Sequence, residues 1–216
     1  MGEELTLYFN AGPLFVLALR ALDESRRDTY RPGDKAIVSV VFAASALEAF
    51  MNEIVATSAA LLKSGKYSND RIKAFSQLAS ELEESKASVR YKFILAKWIL
   101  SGVPFDKGSA PFQDFSALVD VRNELLHMKA IETVEIKNNE PVFRMPRVIE
   151  HLKTKGVLIG NPDGKSNWKD HLCTPYCAKW ACNAAAAMVR SITKELPADS
   201  IWPGVKEVYD EVFIQC

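Results

Sequence analysis

Arg122, Asn123 and His127 stand in the run Arg-Asn-(three residues)-His, within Phe112–Lys129 of a 216-residue chain. A guanidinium holds carboxylates and phosphates through forked N–H donors, and an imidazole exchanges protons near neutral pH. At about 100° per residue, Phe115, Leu118, Val119, Val121, Leu125, Leu126 and Met128 form one apolar arc, with Arg122 near its middle. A guanidinium on that face needs a partner. Ser45, Glu48 and Asn52 supply one, because they fall at i, i+3 and i+7 as a narrow polar stripe in an apolar run. Two readings follow. In one, Arg122 and Glu48 form a buried pair that locks two helices, and His127 is a surface histidine. In the other, Arg122, Asn123 and His127 make a site. Asn123 and His127 share a polar stripe at i and i+4, whereas Arg122 and His127 diverge by about 140°. One helix does not aim both at a single point.

Other groupings are weaker. His171-Leu-Cys173-(three)-Cys177-(four)-Cys182 holds metal-capable residues but lacks the repeated close pair of a zinc site, so buried free cysteines are expected and no metal. His151 lies beside Arg144, Arg147, Lys153 and Lys155, and Lys165, Trp168, Lys169 and His171 follow in a polar loop. With Phe143 and Trp168 interleaved, this basic segment suits either a solvated surface or RNA backbone. Lys86–Lys92 is a second cationic stretch. No Gly-rich phosphate loop and no nucleophile elbow occurs, so ordinary nucleotide hydrolases and serine hydrolases have no foothold, and no cofactor is expected.

The elements that carry these residues are mostly helical. Leu5–Asp23 reads as a helix kinked or restarted at Gly12-Pro13, and Arg31-Pro32-Gly33-Asp34 as a turn with Asp34 capping a long helix from Lys35 to about Lys63. A helix from Asn69-Asp70 to about Ser85 precedes Ser88–Leu100, its continuation or a separate helix. Next comes the arginine–histidine helix, Phe112 to about Ala130. Thr133–Ile136 and Val142–Met145 flank Lys137–Glu140 as a short β-hairpin. Pro146–Lys155 reads as a brief helix, Asn161–Gly164 as a turn, Thr174–Glu195 as the last long helix, and a short helix follows Trp202-Pro203. The fold class is therefore all-α: an antiparallel helical bundle over 1–130, with a hairpin and helical extension over 131–216 on the same core.

Composition bounds the rest. Lys and Arg number 27 and Asp and Glu 27, with 48% hydrophobic residues, the proportions of a globular chain with its charge cancelled. That argues against a protein that coats nucleic acid, though not against a local basic site. No secretory signal is visible, and the uncharged apolar runs Ala36–Leu47 and Trp180–Val189 are shorter than the ~20 residues of a membrane span. A cytoplasmic protein with no membrane partner is expected.

Arg122-Asn123-(three residues)-His127 resembles the arginine–four-residues–histidine motif of HEPN domains (higher eukaryotes and prokaryotes nucleotide-binding), where a polar residue usually follows the arginine. Phe42–Ile54, with Glu48 and Asn52 in apolar surroundings, resembles the second helix of that family. The likeness covers roughly 35–130. It implies a metal-independent endoribonuclease of the toxin or phage-defence type, a homodimer with two such motifs facing each other, and RNA as substrate. Arg122 would hold the scissile phosphate, His127 would serve as general base or acid, Asn123 would orient either, and Glu48 and Asn52 would support. An antitoxin or other partner protein fits the same picture. The alternatives are a non-catalytic HEPN-like module that binds RNA, a nucleotide or a protein, and a plain helical scaffold.

Overall fold

Apolar residues at helical spacing recur along most of the chain, and they set its architecture. The computed structural model describes residues 9–28, 32–65, 67–127, 134–137, 140–143, 145–158 and 167–216. Among these are eight α-helices packed as a bundle: α1 (Ala11–Arg27), α2 (Pro32–Lys63), α3 (Asp70–Glu84), α4 (Val89–Ser101), α5 (Phe112–Leu126), α6 (Arg147–Thr154), α7 (Pro175–Thr193) and α8 (Trp202–Val212). The segments β1 (Val134–Lys137) and β2 (Glu140–Phe143) pair antiparallel, with Val134 opposite Phe143. Outside the described residues lie several expected features: the helix start at Leu5, Arg31 of the first turn, Met128–Ala130, Arg144, the Asn161–Gly164 turn and Lys165.

Helix α2 is the axis of the bundle, packed against α1, α3, α4, α5 and α7. It is 32 residues long, and by length and composition alone a stretch of it would cross a membrane. This corrects the expectation drawn from uninterrupted apolar runs, which Glu48 and Glu53 cut short. Its apolar residues are buried in the core, from Ala36 and Val40 through Leu47, Phe50 and Met51 to Ile54. Helix α7 lies against it with a small-residue face. Ala178, Ala181 and Ala185 are fully buried there, so the two backbones can approach closely. Phe15, Phe50, Tyr209 and Phe213 stack edge and face at the α1–α2–α8 junction, with centroids 4.3 Å apart for Phe15–Phe213 and 4.8 Å for Phe50–Tyr209. One continuous core thus joins helices from both halves of the chain.

Several boundaries have local causes. Gly12-Pro13 does not kink a helix; the two residues form the first turn of α1, where the missing proline N–H costs nothing. Helix α2 starts at Pro32, which puts Asp34 inside its first turn and not at the cap. Asn69 caps α3, accepting from the N–H groups of Arg71 (3.1 Å) and Ile72 (3.2 Å). Thr174 caps α7 through Cys177 N–H, with Pro175 in the first turn. Trp202 and Pro203 open α8 and do not precede it. The α1 N-terminus is capped from afar: Glu53 of α2 accepts from the backbone N–H groups of Asn10 and of Ala11 (2.8 Å), while Tyr209 donates to its other oxygen at 2.5 Å.

Candidate functional site

Helix α5 packs against α2 and α7 by burying Phe112, Phe115, Leu118, Val119 and Val121. The apolar arc then fades, with Leu125 half-buried and Leu126 exposed. Arg122 therefore lies where the arc leaves the core. Its side chain is 24% exposed and bridges two helices: Nη2 donates to Glu48 Oε2 on α2 at 3.2 Å, and Nη1 to Asn123 Oδ1 at 3.1 Å. The Glu48 side chain is 45% exposed. The expected ion pair is present, at the rim of the bundle and not sealed inside it. An ion pair this open contributes about 1 kcal/mol or less, so a stronger anion can take its place on the guanidinium.

The helix ends sooner than its sequence suggests. Leu126 is its last residue and His127 is the cap, with its N–H still bonded to Asn123 O at 2.9 Å. His127 is exposed, and its imidazole has no hydrogen-bond partner among the described residues. Arg122, Asn123 and Glu48 are brought together; His127 is tied to Asn123 through its backbone N–H, and its imidazole makes no hydrogen bond to the three. Asn52, one turn beyond Glu48 on α2, accepts instead from Lys92 Nζ of α4 at 3.3 Å, and Lys92 also pairs with Glu83. Ser45 turns back on its own helix, donating to Val41 O at 3.0 Å.

Two cationic residues of α4 reach across to α2 and α5 and were not singled out as site residues, although both lie in the Lys86–Lys92 stretch. Lys92 is one. Arg90 is the other: its Nη2 meets Asp120 Oδ1 and Ser116 O of α5, both at 2.6 Å, and its Nε is buried without a partner. Which carboxylate each cation meets depends on how α4 crosses α2 and α5, and local sequence does not report a crossing.

No protein-family model matches this chain, nor does any curated protein or solved structure. Its chemistry must therefore be read from its own side chains.

The basic C-terminal segment divides. Arg147 and His151 line a cleft of about 420 Å³ with Lys107, Gln113, Ser116 and Asp120, on the α5 face toward its N-terminus. Nε2 of His151 is buried there without a partner. Lys155 pairs with Asp114, and Trp168 is buried, so Trp168 offers no stacking platform to a base. Cys173, Cys177, Cys182 and Cys216 are free thiols. Burial pushes the Cys177 thiol up to about 12, so it is inert at neutral pH. Among the described residues no group of three or more His, Cys, Asp and Glu side chains is placed to hold a metal ion.

Proposed function

We propose that this chain is a HEPN-like, metal-independent endoribonuclease of the toxin or phage-defence type, acting in the cytoplasm. The observation that carries the reading is one rim cluster, Arg122 with Asn123 and Glu48, on the helix whose end presents an exposed His127 with no side-chain hydrogen bond among the described residues. The finer fold that goes with it is an antiparallel HEPN-like bundle over 1–130, with a β-hairpin and helical extension over 131–216. It dimerises through α2 and α5.

The chemistry follows from the side chains. An RNA phosphate displaces Glu48 from the Arg122 guanidinium, which then stabilises the charge that builds on the phosphoryl oxygens. His127 draws the proton from the neighbouring 2′-OH, the 2′ oxygen attacks phosphorus, and the 5′ oxygen leaves with a proton from an acid. One chain offers a single His127, at an angle to Arg122. A second copy across a two-fold axis supplies the imidazole that one helix cannot aim at Arg122, and closes the cleft. Asn123 orients the phosphate or the histidine, and Glu48 and Asn52 hold the cationic side chains between turnovers.

Purified protein incubated with mixed RNA and a chelator should yield 2′,3′-cyclic phosphate ends and leave DNA intact. His127→Ala should lose cleavage by at least about 100-fold, the usual weight of a general acid or base, with thermal unfolding unchanged. Cleavage that survives His127→Ala, or that vanishes with the chelator, rejects the mechanism. A second reading is favoured by Arg122 having both of its Nη groups on protein acceptors. It is a non-catalytic HEPN-like module that binds RNA, a nucleotide or a partner protein such as an antitoxin. RNA retained but uncut by the wild type would select it.

A further inference from the structure

The cleft on the N-terminal half of α5 carries a positive balance in a chain whose total charge is zero. Its cations are Lys107, from the connection between α4 and α5, and Arg147 of α6. Neither makes an ion pair or a side-chain hydrogen bond among the described residues. The carboxylates of this region are engaged elsewhere. Asp120, which lines the cleft, meets Arg90 Nη2 at 2.6 Å. Asp114 pairs with Lys155 and accepts from Trp180 Nε1 at 3.4 Å, and Asp106 accepts from the backbone N–H of Gly108 at 2.9 Å.

The rest of the lining is open to a ligand. Gln113 and Ser116 bring an amide and a hydroxyl that make no side-chain hydrogen bond among the described residues. The buried Nε2 of His151 leaves the α6 wall one hydrogen bond short. Phe112 and Ala117, both buried, give an apolar floor, where charges are screened less than in open water. Two unengaged cations beside free donors and over such a floor make a site for an anion.

The position of the cleft says which anion. Gln113, Ser116 and Asp120 recur at i, i+3 and i+7 on one face of α5. His127 continues that face, about 20° from Asp120 around the axis and about 10 Å further along it. Arg122 lies about 160° away from Asp120, on the other side of the helix. Within one chain, then, the face that ends at His127 begins in the cleft and leaves Arg122 out. From Asp120 or Gln113 to His127 is about 10 to 20 Å, or about three to six nucleotides of a stacked strand.

We propose that the cleft is a second phosphate-binding site, in which Lys107 and Arg147 hold a backbone phosphate of the RNA strand about three to six nucleotides from the phosphate that meets His127. The proposal rests on the ribonuclease reading for the identity of the strand. Arg147 supplies forked donors and Lys107 a point charge. Neither touches the reacting atoms; both are positioning residues.

The test measures binding of a fluorescent 2′-O-methyl uridine octamer to the full wild-type chain by anisotropy at low salt. Such a strand has no free 2′-OH and cannot be cut. Arg147→Glu and Lys107→Glu, each checked for unchanged thermal unfolding, should weaken the octamer by about tenfold and lower its salt slope by about one. Lys206→Glu on α8 makes the same change in net charge away from the cleft and should stay within about twofold of wild type. Uridine 5′-monophosphate should displace the octamer at least about tenfold less effectively than unlabelled octamer does, because it occupies one end of the path only. No octamer binding, undiminished binding in both cleft variants, an equal loss in Lys206→Glu, or a monophosphate as effective as the octamer would each overturn the proposal. Cleavage is scored separately. Natural RNA that is held through Lys107 and Arg147 but left uncut rejects the chemistry at His127 and keeps the cleft. RNA bound and cut equally well by wild type and both cleft variants keeps the chemistry and rejects the cleft.

Discussion

Arg122 keeps its Nε buried without a partner while both Nη groups are engaged, so its position is set by packing of its stem as much as by charge. Arg122→Ala is expected to cost about 1–2 kcal/mol in urea denaturation through that lost packing, and about 100-fold or more in RNA cleavage. Arg122→Lys should recover most of the stability and little of the cleavage, because an ammonium cannot fork across two phosphoryl oxygens. Equal recovery of both would make the residue merely structural. Cys216 gives a pH prediction. The Cys182 hydrogen bond foremost, then Arg26 and Lys179, lower its thiol from 9.0 to about 7. Since the folded value lies below the unfolded one, the thiolate's stabilisation is complete above about 9 and fades as pH falls through about 7. Alkylation of Cys216 should therefore follow a midpoint near 7 in the folded chain and near 9 in denaturant; coincident profiles would remove the effect.

Among the elements, close approach of α2 to the start of α7 is tested at Gly33. A Cβ there would meet Cys173 Cβ at 2.6 Å, whereas Gly204 in α8 has open space around it. Gly33→Ala should destabilise by about 1–3 kcal/mol, and Gly204→Ala should stabilise by up to about 1 kcal/mol. Calorimetry of the two variants gives shifts of opposite sign if the packing is as described. The same elements show what local sequence conveys. Asn69 announces α3 because its side chain bonds only the N–H groups of a helix that begins there. The Glu48–Arg122 pairing was legible because a polar stripe inside an apolar run must find a partner. The end of α5 was not, since Leu126-His127-Met128 contains no glycine or proline to stop a helix. Trp168 was misread as a surface aromatic because polar neighbours in sequence say nothing about what packs over a ring. Glu53 drew no attention beside the Ser45–Asn52 stripe, because its partners come from residues 10, 11 and 209.

At the scale of the whole molecule, the reading requires two copies, and a trans-complementation experiment addresses that directly. Suppose each cleft takes Arg122 from one protomer and His127 from the other. Mixing dead Arg122→Ala with dead His127→Ala then makes half the dimers hybrid, each with one intact cleft, and about a quarter of wild-type activity returns. No recovery after subunit exchange would place each site within one chain. The cancelled charge of 27 basic and 27 acidic residues bears on affinity. Binding confined to a few cationic side chains should show a shallow salt slope, roughly one unit per phosphate neutralised.

Glu53 also governs the order in which the chain can be completed. The carboxylate that caps α1 is itself held by Tyr209, 156 residues further along, and α7 covers the face of α2 that earlier helices leave open. A chain emerging from the ribosome therefore carries Arg122 and His127 well before it has α7 and α8 to close the core. Until then, long-range loop closure has to be made without its largest reward, the burial of α7 and α8. On the proposed reading, the surface that carries Arg122 and His127 is therefore stably seated only once α7 and α8 have joined the core.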